Sequence, residues 1–145
     1  MVFSGSNVDR TTTIEEDLTT WVRGAFVAAF PGKNWTAPLM EVVATVESRH
    51  GDYQWNGAMS LAKILKQAPR TIAETVAAKS VPPESVKRLE VAGPGFLNFH
   101  LKDSWLVFRL ASTDADRERL GVPASGVGKT VVIDYSSPNI AKQMH

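Results

Sequence analysis

Apolar residues recur at helical spacing near the start of the chain. Ile14, Leu18, Trp21, Val22, Ala25, Phe26, Ala29 and Phe30 form one continuous stripe. Thr12-x-x-Glu15 and Thr13-x-x-Glu16 both fit a capping box at its beginning, and Pro31-Gly32 stops it. This predicts a first helix with Trp21, Phe26 and Phe30 in the core. Val42, Val43, Thr45 and Val46 predict a short strand. His50-Gly51-Asp52-Tyr53 reads as a turn into a second helix that buries Ala58, Leu61, Ala62 and Leu65. Pro69 suits the first position of a third helix carrying Ile72, Ala73, Val76 and Ala77, closed by Pro82-Pro83.

The period then changes from helical to two. Residues 86–92 alternate Leu89 and Val91 with charged neighbours, and Gly93-Pro94-Gly95 is a tight connection to a second strand, Phe96 to Leu101. In that strand Leu97, Phe99 and Leu101 share the core side, while Phe96, Asn98 and His100 share the other. A fourth helix is expected from a cap at Asp103 or Ser104 through Trp105, Leu106, Phe108 and Leu110, turning polar over residues 114–119 and ending at Leu120-Gly121. Residues 121–128, GVPASGVG, form a linker, and Val131-Val132-Ile133 reads as a buried-type strand beyond it. The expected architecture is α+β: a small, mainly antiparallel sheet packed with about four helices over residues 1–120. The linker, 121–128, and the opening strand and turn of a second unit, 129–145, follow.

Composition narrows the function classes. At 43% hydrophobic and 21% charged, the chain is globular. A net charge of +1 gives no global basic field, so nucleic-acid contact would need a local patch and the isolated chain would hold RNA weakly at physiological salt. With no cysteine there are no disulfides or thiolate metal sites. No apolar run is long enough for a membrane span and no leader is evident, which together favour a soluble, cytoplasmic protein without a membrane partner.

Two stretches carry candidate chemistry. Phe96 and Asn98, with His100, set an aromatic ring, an amide and an imidazole on one strand face. That combination can stack an unpaired base and hydrogen-bond its edge. On the residues alone, an ordinary half-exposed strand face, or one packed beneath a helix, is the simpler description. The second stretch is residues 134–145, where Asp134, Ser136, Ser137, Asn139 and Lys142 gather beyond a strand and at a helix start, a place suited to phosphate. A P-loop at Gly126-Val127-Gly128-Lys129-Thr130 is excluded, because Pro123 stands where a glycine is required and a strand follows where a helix should. His50, His100 and His145 lack chelating spacing, so no metal site is expected.

Ser136-Ser137-Pro138-Asn139-Ile140-Ala141-Lys142-Gln143-Met144-His145 resembles arginyl-tRNA synthetase, whose pattern is SSPN-(I/V)-AK-x-(M/F)-H-x-G-H. The last four positions are that family's version of the class I HIGH signature. His50-Gly51-Asp52-Tyr53-Gln54, Pro69-Arg70 with Ile72-Ala73, and Val91 to Phe99 match the same family in order. The resemblance implies an N-terminal domain that contacts the D-loop of arginine tRNA, followed by the start of a Rossmann-like catalytic domain cut within its signature. It implies that Phe96 and Asn98 hold the D-loop base, with His100 added by strand geometry alone. It further implies that Ser136, Ser137 and Asn139 hold arginine, and that Lys142 and His145 serve the ATP phosphates in catalysis. The parent reaction implied is arginine–tRNA ligation with L-arginine, ATP and Mg²⁺. The fragment itself is expected to bind no cofactor, to be inactive in ATP–pyrophosphate exchange, and to be a monomer. A free-standing RNA-binding module and a protein-interaction domain are the alternatives.

Overall fold

The structure is a computed structural model that describes residues 13–33, 35–122 and 128–134. Helix α1, Ile14–Ala29, begins at a capping box: the Thr13 hydroxyl accepts the Glu16 amide, and the Glu16 carboxylate accepts the Thr13 amide. Three acidic residues in its first turn complement the helix dipole. The buried side chains of α1 are Leu18, Thr19, Val22, Ala25 and Phe26, the centre of the expected stripe. Thr19 is not apolar, and its hydroxyl explains its place there. It accepts the Val42 amide at 3.0 Å and so ties α1 to the first strand.

A 3-10 turn, Ala37–Met40, leads into β1, Val42–Ala44. Thr45 and Val46 lie beyond β1, and Val46 is fully exposed, so this strand is shorter than its apolar pattern predicted. The segment expected as a turn into a helix contains a strand of its own, β2, Tyr53–Trp55. Helix α2, Ala58–Leu65, and helix α3, Pro69–Lys79, follow as expected, with Pro69 opening α3. Strands β3, Val86–Ala92, and β4, Phe96–Leu101, complete a four-stranded antiparallel sheet in the order β1-β2-β4-β3.

Register sorts the two faces. One row runs Val42, Trp55, Leu97, Val91, and the next runs Tyr53, Phe99, Leu89. These rows face α1, α2 and α3. Trp55, Phe99 and Leu97 are fully buried with Leu18, Phe26, Leu61, Ile72 and Val76. Trp21 meets Phe99 edge-on, centroids 5.9 Å apart, and donates its indole N–H to the Val81 carbonyl. A register shift between Val86 and Arg88 changes the strand's parity, so that Val86 and Leu89 both turn inward.

Helix α4, Asp103–Ala115, departs from expectation. Its N-cap is Lys102 and makes no side-chain cap; neither Asp103 nor Ser104 fills that role. The helix ends at Ala115, and the Asp116 carboxylate instead accepts the Arg119 and Gly121 amides in the turn that follows. None of its side chains is buried, and Leu106, Val107, Phe108 and Leu110 are open to solvent. Val131, Val132 and Ile133 are also exposed and join no strand, so the strand expected there is absent. Those residues lack the neighbours that a buried-type strand needs on both faces.

Gly51, just before β2, is a tight point beside the central strand. Its φ is +83°, and a Cβ there would lie 2.6 Å from the Phe99 carbonyl oxygen. Gly51→Ala is therefore expected to destabilise the fold by about 3 kcal/mol, combining left-handed strain with a backbone clash that no rotamer relieves. Urea unfolding followed by tryptophan fluorescence measures it.

Candidate functional site

The outer face of the sheet is built from the residues between the core rows. Gln54, Asn98 and Glu90 are cross-strand partners in one row, Arg88 faces His100 in the next, and Ala92 faces Phe96 on the other side. The structure thus brings Phe96, Asn98 and His100 onto one face, as the period of two requires. It also places them on β4, a central strand held on both sides.

Three bonds from one short segment hold that strand. The Asp52 amide donates to the Phe99 carbonyl at 2.8 Å. The Asp52 carboxylate accepts the Leu101 amide at 2.7 Å. The Gln54 side-chain amide donates to Asn98 Oδ1 at 2.7 Å. The sequence reads His50-Gly51-Asp52-Tyr53 as a turn and gives Gln54 no structural role. Its alternation over three strand residues was too short to register.

Asn98 is more deeply placed than a half-exposed strand face would have it. It is only 1% exposed, lying on the floor of the face between half-buried Gln54, Glu90, Phe96 and His100. Gln54 supplies its side-chain hydrogen bond, to the carbonyl end of the amide. Phe96 is half-buried, with its ring edge beside Gly93 in the hairpin turn, where an added Cβ would stand 3.4 Å from Cδ2. Arg70, at the start of α3, donates to the Gly93 carbonyl at 3.3 Å and pairs with Glu74. Arg70 and the Phe96 ring thus both lie against the same hairpin turn.

His100 belongs to an ionic cluster beside the amide. Its Nε2 lies 3.0 Å from Arg88 Nη2 and 3.3 Å from Glu90 Oε2, and Arg88 contacts the same carboxylate oxygen at 3.1 Å. One ring nitrogen cannot accept from Arg88 and donate to Glu90 at once, so the tautomer selects the partner. This engages His100 with the protein's own charges.

Ser136, Ser137, Asn139, Lys142 and His145 lie outside the described residues. Among the described residues no three His, Asp or Glu side chains cluster as metal ligands would. No described helix is long and apolar enough to cross a membrane.

Residues 12–101 match the family described as the arginyl tRNA synthetase N terminal domain. Over 123 residues, 85% of this chain, it is 47% identical to an arginine–tRNA ligase of Pseudoalteromonas atlantica, covering 20% of that protein. An arginine–tRNA ligase of Synechococcus sp. is 45% identical over 83% of the chain and 20% of its own length. One from Alteromonas mediterranea is 52% identical over 66% of the chain and 16% of its own length. The chain thus spans about a fifth of the length of these relatives. A crystal structure of arginyl-tRNA synthetase from Plasmodium falciparum superposes with a TM-score of 0.56 at 16% identity, covering 71% of this chain and 18% of that one, a likeness of fold.

Tyr53, beside Phe99 in the sheet, carries a titratable consequence. Burial first, then the carboxylates of Glu15 and Asp52, raise its phenol above the ordinary value near 10. Below about pH 10 the phenol is neutral in folded and unfolded chains alike. As pH rises past that point the unfolded chain ionises first, so stability falls until the raised folded value is passed. Tyr53→Phe is expected to lose less stability than the wild type between about pH 9 and 11 in urea melts.

Proposed function

The chain belongs to the arginyl-tRNA synthetase N-terminal domain family, and on that premise we propose that it binds arginine tRNA through the outer face of its sheet. The D-loop base stacks on Phe96 and meets the Asn98 amide. The observation that carries this reading is the placement of an aromatic edge and an anchored amide on one central strand, beside Arg70 and Arg88. An aromatic face is sequence-tolerant, whereas a fixed amide adds base preference. Phosphate attraction comes from those local arginines, since the chain's net charge is only +1.

The whole protein we propose to be a cytoplasmic arginine–tRNA ligase. It would activate L-arginine with ATP and transfer it to the tRNA. Residues 1–120 would form the tRNA-binding domain and residues 121–128 a linker. Residues 129–145 would open the catalytic domain, with Ser136, Ser137 and Asn139 toward arginine and Lys142 and His145 toward ATP. ATP with Mg²⁺ supplies the adenylate chemistry when bound; the described residues offer no metal-ligand cluster, so no step is assigned to them.

The burial of Asn98 supports a second reading, in which the Gln54–Asn98 pair only locks β2 to β4. Single substitutions separate the two. Phe96→Ala is expected to weaken binding of arginine tRNA by roughly tenfold, the scale of one lost base stack, and to leave the thermal transition near that of the wild type. Asn98→Ala is expected to weaken binding by about three- to tenfold. Filter binding at fixed salt measures both. A lowered melting temperature with unchanged affinity in both variants would favour the lock.

A further inference from the structure

The geometry points to Gln54 as a positioning residue that sets the polarity of the Asn98 amide. The face then offers a bound base a hydrogen-bond donor, not an acceptor, at its centre. This rests on the base-binding reading proposed above and assigns a role that the reading itself leaves open.

A carboxamide presents an acceptor at one end and donors at the other, and its two ends are nearly the same shape. Which end meets a ligand is therefore decided by what holds the other. Here the Gln54 amino group donates to Asn98 Oδ1 at 2.7 Å. Among the described residues no protein acceptor takes the Asn98 amino group. The buried nitrogen without a partner is Arg23 Nε, so the Asn98 amino group is not sealed from solvent although the residue is 1% exposed. The donor end of Asn98 therefore keeps some contact with solvent.

The opposite flank reinforces that polarity. Glu90 is the cross-strand partner of Asn98 in β3, as Gln54 is in β2. A carboxylate only accepts, so it favours the amino end of the amide on its own side and the carbonyl end toward Gln54. Arg88 and His100 share one Glu90 oxygen and hold that carboxylate in place. The amide dipole thus lies between a donor on β2 and an acceptor on β3. The ligand this face takes is an unpaired RNA base that turns an acceptor edge, a ring nitrogen or a carbonyl, toward the floor.

Gln54→Glu inverts the arrangement. A carboxylate at 54 cannot donate, so it would draw the Asn98 amino group and turn Oδ1 outward. Asn98→Asp reaches the same result by another route: Gln54 still donates to one oxygen, and the outward atom becomes an acceptor. Gln54→Leu removes the positioning bond and leaves the amide free to rotate.

The test uses this chain with arginine tRNA transcripts carrying each of the four bases at the D-loop position whose substitution weakens wild-type binding most. Gln54→Glu and Asn98→Asp are both expected to re-rank the four bases, moving the favoured one by about three- to tenfold relative to the others. Gln54→Leu is expected to flatten the ranking while retaining stacking affinity. An unchanged ranking in these variants, with Phe96→Ala still weakening every transcript, overturns the polarity assignment and leaves the base site standing. No effect of Phe96→Ala on any transcript overturns the base site itself. If Gln54→Glu fails to fold by circular dichroism, the Asn98→Asp and Gln54→Leu rankings decide the matter.

Discussion

The fold depends on how closely β2 can approach β4. Gly51 sits against the Phe99 carbonyl with no room for a side chain. That proximity lets the Asp52 amide reach Phe99 and the Asp52 carboxylate reach the Leu101 amide. Charge-assisted bonds of this kind are among the stronger backbone restraints a side chain can supply. Once they form, Tyr53 and Trp55 face Phe99 and Leu97 on the core side, and Gln54 faces Asn98 on the other. One five-residue segment therefore sets the register of the central strand, the inner packing and the outer polar row together.

The two faces meet different physical demands. Inside, Trp55, Phe99 and Leu97 are close-packed under α1 and α3, where each lost methylene would leave a cavity. Outside, among the described residues no helix covers the sheet, so a polar row is admissible, yet Asn98 is still buried among its four neighbours. An amide in such a place is held by its partners and not by water. Its orientation is then a property of the sheet.

Much of this was legible in the sequence. The α1 stripe, Pro69 at the start of α3, and the alternation in β4 each follow from a period that a long segment repeats several times. Strand β2 was not legible, because three residues give too little alternation and its signal is its partner. Val131 to Ile133 are the complementary case. Their β-branched run reads as a strand, but strands are completed by neighbours, and these residues have none in the sheet. Helix α4 shows the same limit: its helical spacing is legible, yet none of its side chains is fully buried, and Trp105 packs against the core while Leu106, Val107, Phe108 and Leu110 stay exposed. At the site, the shared face of Phe96, Asn98 and His100 came from the period of two. The burial of Asn98 and the part played by Gln54 did not, since both arise from pairing across a separation of 44 residues.

That separation bears on how the protein reaches its folded state. Strands β3 and β4 form a hairpin that closes locally through Gly93-Pro94-Gly95. The bond from Gln54 to Asn98 instead closes a loop containing all of α2 and α3, an entropic cost that local contacts do not meet. The hairpin carrying Phe96 and Asn98 can form early, but the amide acquires its fixed orientation only when β2 docks. Ordering of the outer polar row thereby requires a long-range closure in addition to the local hairpin, the kind of contact whose formation topology slows.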